Sequence, residues 1–404
     1  MAKKNKKNQK TEKSNGLVKK IVVIVLCLCG VASGVMATIS SIKKAKAEKT
    51  VRVAFYGLSE DYVKLLQDII PVEDKITLKC DVLSDGNIDL GAIKEKYDML
   101  FTWKGEVTDT LEASSEDIPS KILEVIPTNL RNKKCIPILL DHCELDYSIN
   151  VVDKTTGTIP NSFPTFLNYL NQSRSQVFSP FFCAGANDRV ITAFIGSLIE
   201  ANGGVEAYQK LIDELRAGTD FEELLDKELA KGNLTLRYIL EMLKSWPKDG
   251  LTHPSWFNGQ QTDLIYFAND NHLGVFFTYL SDHRNISYEI ISKYETFVMP
   301  PVSSTTEYGI IAPAISCMLL TSNSNCKRYI AEFFTEDTQV ELSNVTKLAP
   351  VHLRAQAYDR QADDVRYWAA ACPGGALPDL YLAVWQRDPA GCAEFAKNIR
   401  NMVK

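Results

Sequence analysis

The chain has 404 residues, 45% hydrophobic and 24% charged, with a net charge of −5. This is a globular composition, long enough for two ordinary domains or one large two-lobed body. The charge is uneven: residues 1–20 carry +7, residues 41–50 carry +3, and everything after residue 50 carries −15. So acidic a body argues against nucleic acid as a partner, because phosphate binding needs a basic face.

The first feature along the chain is Ile21–Ile42, 22 residues without a charge, led by Lys19-Lys20. A helix of that length crosses a ~30 Å hydrocarbon layer. The lysines in front fit a cytoplasmic N-terminus, although Lys43, Lys44 and Lys46 follow the run. Three readings stand. The segment is a transmembrane anchor, a signal cleaved at Val35-Met36-Ala37 or Ala45-Lys46-Ala47, or a lipidation site at Cys27 or Cys29. Each places the body outside the cytoplasm. Residues 1–20 are then a lysine-rich cytoplasmic tail, 21–42 the anchor or signal, and 43–50 a linker.

"VRVAFYGL" reads as a strand, and Ser59 caps a helix over "EDYVKLLQDII". "ITLKCDVL" alternates as a second strand, "GAIKEKY" is a short helix and "DMLFTW" a third strand. This order predicts a parallel sheet covered on both faces, with ligands at the carboxyl ends of its strands. Those ends hold Tyr56-Gly57 and Trp103-Lys104. "CIPILLDHCELDYSIN" is a long extended run. Residues 164–245 are mostly helical, and Gly203-Gly204 stops one helix. "LGVFFTYL", "YETFVMPPV" and "YGIIAPAISCML" are extended. "CKRYIAEFFTEDTQVELSNV" is helical, and the tail from Leu348 holds two more helical stretches.

Asp141-His142-Cys143-Glu144 brings together residue types found in metal sites and cysteine hydrolases. On a strand, however, neighbours point to opposite faces. Asp141 and Cys143 share one face, His142 and Glu144 the other, so the four cannot converge on one ion. No Gly-rich phosphate loop, Gly-x-Ser-x-Gly elbow or His-Glu-x-x-His motif is present, and the five histidines are widely spaced. No catalytic residue, cofactor or metal is expected. None of the eight cysteines past residue 50 forms Cys-x-x-Cys. Disulfides and buried free thiols both remain open for them.

From about residue 51 onward, the order of these pieces resembles the extracellular solute-binding proteins of ABC importers, the group that includes maltose- and oligosaccharide-binding proteins. "VRVAFYG" is similar to the family's opening strand and "YDMLFTW" to the strand that delivers residues to the ligand. "IPILLDHCELDYSIN" resembles the crossover strand, with Tyr147-Ser148 departing from the usual ending. "FPTFLNYL" keeps part of a Pro-x-Thr-Trp-Asp-Glu pattern and loses its acids at Leu167-Asn168. "KLAPV" is similar to the late Gly-x-x-Pro-Val loop.

The resemblance implies an α/β, two-lobed periplasmic-binding-protein fold of type II-like topology. Lobe 1 is expected over 51–141 plus 297–335, and lobe 2 over 142–296 plus 336–404. It implies a binding component of an importer that closes by hinge motion around a small polar solute, a sugar by its aromatics and carboxylate, and hands it to ABC permease subunits. The ligand-lining residues it implies are Tyr56, Trp103, Asp141, Phe182, Asn187, Tyr279, Tyr308 and Tyr381. Asp188-Arg189 reads as a surface or local ion pair. Two other classes compete: a Cys-dependent hydrolase using Cys143 or Cys183, and a non-transport interaction protein that kept the fold.

Overall fold

A computed structural model of the chain describes residues 49–404, apart from 73–75, 85 and 87. The expected tail and anchor, 1–42, lie outside the described residues. No helix among the described residues is long and apolar enough to cross a membrane. Val51–Glu73 and Leu78–Lys404 form one compact unit.

The first sheet begins with β1 (Thr50–Tyr56), β2 (Thr77–Leu83), β3 (Met99–Trp103) and β4 (Cys135–Leu140). The second lobe supplies β5 (Cys143–Ser148), β6 (Ser179–Cys183), β7 (Leu273–Tyr279) and β8 (Tyr294–Phe297). The chain then returns through β9 (Ile310–Ile311) to β10 (Ala314–Leu319) and β11 (Ala349–Pro350), and crosses again at β12 (Ala376–Leu377). Strand order is β11-β4-β10-β3-β1-β2 in the first sheet and β6-β7-β5-β8 in the second. β9 and β12 pair in parallel as a separate two-stranded sheet.

β1 and β3 are parallel, in register from Val53 opposite Met99 to Tyr56 opposite Thr102. Their carboxyl ends therefore meet at one edge, as expected. The sheet is not wholly parallel, because β10 runs antiparallel between β3 and β4. The returning chain enters from the crossing side and has to run against its neighbours.

The long extended run is two strands in two sheets. It breaks at Asp141-His142, where Asp141 N donates to Pro313 O (2.7 Å) and His142 O accepts from Leu280 N (2.9 Å). Alternation then holds through β5. Cys143, Leu145 and Tyr147 join the second-lobe core, while His142 Nδ1 lies 3.4 Å from Glu144 Oε2. That core contains many packed rings: Phe181 stacks on Phe194 at 4.9 Å and meets Trp246 edge-on at 5.4 Å. Such contacts add to area burial and fix ring orientation.

Several caps sit where the sequence places them. Ser59 Oγ accepts from Tyr62 N, opening the helix Glu60–Ile69. The long helix from Asp188 breaks at Gly204, where φ is 79° and an added Cβ would sit 2.6 Å from Glu307 O. Only glycine suits both demands.

The stretch expected as one helix after Cys326 is two, Ser324–Glu332 and Glu336–Thr346, and Thr335 caps the second. That second helix, expected in lobe 2, lies on the first sheet. Gln339 Nε2 donates to Ile138 O in β4 (3.0 Å), and its Oε1 accepts from Val351 N (2.8 Å), just past β11. One buried amide thus ties 336–351 to the first lobe, and β12 carries the chain back across later. The eight described cysteines are free thiols.

Candidate functional site

The site is built where segments of both sheets meet. Asn187 caps the helix that begins at Asp188, its Oδ1 accepting from Arg189 N (3.0 Å) and Val190 N (3.3 Å). This cap fixes Arg189 in the first turn. Its guanidinium carbon lies 5.4 Å from the Trp103 ring, 5.1 Å from the Tyr279 ring and 5.8 Å from the Tyr381 ring. These are cation–π distances. Trp103 ends β3 of the first sheet, Tyr279 ends β7 of the second, and Tyr381 follows the last crossing.

Asp379 completes the group. Its Oδ2 accepts from Arg189 Nε (2.8 Å) and from Tyr279 OH (3.0 Å), and Arg189 Nη2 lies 2.7 Å away. Its Oδ1 accepts from Leu382 N (2.9 Å), which orients the carboxylate. Asp379 is fully buried, whereas the Arg189 side chain stays 30% exposed. Arg189 Nη2 is itself buried, so the exposed part lies elsewhere along the side chain.

Asp141 borders it on the crossing strand. Its Oδ1 accepts from Ser281 N (3.0 Å) and its Oδ2 from Ser281 Oγ (2.8 Å). Burial pushes its carboxyl up to about 6, against those bonds and the Arg189 charge, which favour the ionised form. Burial also raises Asp282, opposed by the Arg189 charge. The surroundings of Arg189 thus combine three aromatic faces with three carboxyl groups, a pattern suited to a polar, hydroxyl-rich ligand.

Of the expected lining residues, Trp103, Asp141, Tyr279 and Tyr381 come together around Arg189. The other four do not. Tyr56 is buried, and its hydroxyl lies within hydrogen-bond distance of Gly86 O (3.0 Å) and Gln386 O (3.1 Å). Phe182 is core, edge-on to Phe267 at 5.4 Å. Asn187 is spent on the helix cap. Tyr308 donates to Met299 O within a crossing segment.

The Asp188-Arg189 reading as a local pair is corrected. Asp188 pairs with Arg400 (2.7 Å) and Arg189 with Asp379. A signal for Arg189 existed. A cation in the first turn opposes the helix dipole, so it needs a compensating partner.

Apart from Tyr381, the segment Asp379–Arg387 was also missed. It wedges against the carboxyl ends of β1 and β3. Gln386 Nε2 donates to Thr102 Oγ1 (2.9 Å) and Trp103 O (3.1 Å), and its Oε1 accepts from Val107 N (3.1 Å). Arg387 Nε donates to Glu106 Oε1 (2.8 Å). At Gly105 an added Cβ would lie 2.1 Å from Leu382 O, so only a bare backbone admits the wedge.

Neither a family model nor a curated protein matches the chain by sequence. Solved structures match its fold over most of its length. A putative binding protein, MsmE of Bacillus subtilis subsp. subtilis strain 168, in an open conformation, aligns at TM-score 0.67 and 14% identity, covering 88% of this chain and 95% of its own. The bacterial solute receptor AcbH, described as exclusively preferring β-D-galactopyranose, aligns at TM-score 0.66 and 9% identity, covering 87% and 98%. Apo RafE of Streptococcus pneumoniae gives 0.64 and 14%, covering 88% and 96%. The chain has the two-lobed α/β fold of solute-binding proteins, and at these identities the likeness is one of fold.

Proposed function

We propose that the protein is the extracytoplasmic solute-binding component of an ABC importer, capturing a sugar between its lobes. The carrying observation is the convergence of Trp103, Tyr279, Tyr381 and Asp141 on the partly exposed Arg189, from both sheets and from the first and last crossings. Ring faces stack on sugar faces, while the guanidinium and carboxylates bond hydroxyls. Structures of this fold include a sugar transporter of Bacillus licheniformis in complex with stachyose and a chitin oligosaccharide binding protein. Hinge closure then presents the loaded lobes to permease subunits. The lysine-flanked run 21–42 supports a body held at the outer membrane face or secreted beyond it.

The Cys-dependent hydrolase loses its support. Cys143 and Cys183 are buried, and burial pushes both thiols up, away from the nucleophilic thiolate.

Isothermal titration of the purified chain against mono- and oligosaccharides tests the proposal. One class of sugar should bind, and Trp103→Ala should weaken it. Absence of binding to every sugar overturns the carbohydrate reading and favours the interaction-protein alternative.

A further inference from the structure

The other face of β5 carries a second cluster, separate from the Arg189 group. Glu144 and Asp146 point the same way from the strand, and His283 lies over them from the short helix Leu280–His283. His283 Nδ1 is 2.9 Å from Glu144 Oε1 and 2.9 Å from Asp146 Oδ1. All three residues are buried, the two carboxylates completely.

Hydrogen bonds alone leave this cluster unsatisfied. One ring N–H cannot point at two oxygens at once. Asp146 Oδ2 has no hydrogen-bond partner among the described residues, and neither has the Thr278 hydroxyl. Thr278 is itself buried at 2% exposure and sits directly opposite Glu144 in the β5–β7 register. Residues opposite each other in an antiparallel pair share a face, so its stranded oxygen belongs to the same cluster. Thr296, opposite Asp146 on β8, already donates to Asp146 Oδ1 at 2.6 Å. Buried unpaired polar atoms are costly, and two adjacent buried carboxylates cost more unless a cation balances them.

The geometry points to a structural site for one divalent first-row cation, Zn²⁺ by its donor set, bound by Glu144, Asp146 and His283. The donor atoms of the three residues all lie within 4.8 Å of one another. An ion held at ~2.0–2.2 Å by imidazole and carboxylate sets its donors about 3.3 Å apart, so small shifts complete the shell. Charge closes as well: two carboxylates and one dication, with a neutral imidazole whose Nδ1 proton leaves to solvent. The Thr278 side chain shares this face of the sheet, opposite Glu144. His142 Nδ1, 3.4 Å from Glu144 Oε2, orients that carboxylate from outside the shell. The ion ties β5, which follows the first crossing, to the helix after β7. It thereby stiffens the root of the hinge.

The test uses the full chain, stripped with a chelator and titrated calorimetrically with ZnCl₂. One ion should bind per chain. Glu144→Gln and His283→Gln should each weaken binding at least ~100-fold, and His272→Ala, an exposed control, should not. Cobalt loading of the unmutated chain should give visible bands of a nitrogen–oxygen site. That spectrum decides the matter if a variant fails to fold. No binding, binding that survives His283→Gln, or a thiolate-to-cobalt charge-transfer band overturns the assignment.

Discussion

Replacing Gln386 with leucine tests whether the returning segment holds the lobes together. Gln386 is buried and makes three side-chain hydrogen bonds to the first lobe, at 2.9, 3.1 and 3.1 Å. Leucine keeps most of the volume and removes all three. The Thr102 hydroxyl can rotate toward another acceptor. The Trp103 carbonyl and the Val107 amide cannot. Val107 stands in the first turn of the helix Glu106–Glu112, where an N–H has no intrahelical acceptor. Each stranded buried group costs ~1–3 kcal/mol, so the loss is about 4 kcal/mol. With a urea slope near the upper end for small proteins, ~3 kcal/mol/M, the midpoint falls by about 1 M. Urea unfolding followed by circular dichroism reads this directly. A leucine variant within ~0.2 M of the parent, at unchanged slope, would refute the wedge as a source of stability.

Three further outcomes follow from other sites. Burial pushes Glu200, which accepts from Gly309 N at 2.7 Å, up to about 8. A raised carboxyl contributes stability that is full below its unfolded value near 4.5 and is lost as pH rises through about 8. The swing is on the order of 5 kcal/mol, and Glu200→Gln should flatten the stability–pH curve measured by urea unfolding from pH ~5 to ~9. Gly204→Ala forces a side chain into a φ of 79° and against Glu307 O. It should cost about 2–4 kcal/mol in the same assay. Trp103→Ala should weaken whichever sugar the parent binds by about tenfold, some ~1.4 kcal/mol, in titration calorimetry.

Much of the fold was legible because its signals are local. Alternation marked β2, apolar runs marked β1, β3 and β7, Ser59 marked a helix start, and Gly203-Gly204 marked a break. The split of "CIPILLDHCELDYSIN" between two sheets was not, because an apolar run does not record which neighbours it pairs with. Nor was the turn of β10 against the sheet, which follows from the route of the returning chain. Four of the eight expected lining residues gather around Arg189. Tyr56 has the right place at the strand end, yet Gln386, 330 residues later, covers it. Arg189 was visible as a misplaced charge, but its partner Asp379 lies 190 residues away. Contacts of that separation carry no local periodicity.

The crossing strand also places two unlike chemistries on opposite faces, with the Glu144 charge still felt at Asp282. Asp141 and Cys143 face the Arg189 cluster, whose charges act on both. Glu144 and Asp146 face His283 on the opposite side. A one-residue slip would exchange these faces completely. It would turn two more carboxylates toward Asp379 and leave His283 without partners. The register is therefore held from both flanks, by Glu144 against Thr278 on β7 and Asp146 against Thr296 on β8. An insertion between Asp141 and Cys143 should consequently disturb both sites together, whereas substitutions at Arg189 or His283 should disturb one and spare the other. Titration with a bound sugar and with Zn²⁺ separates the two cases, and coupled loss in an Arg189→Lys variant would show that the strand does not insulate them.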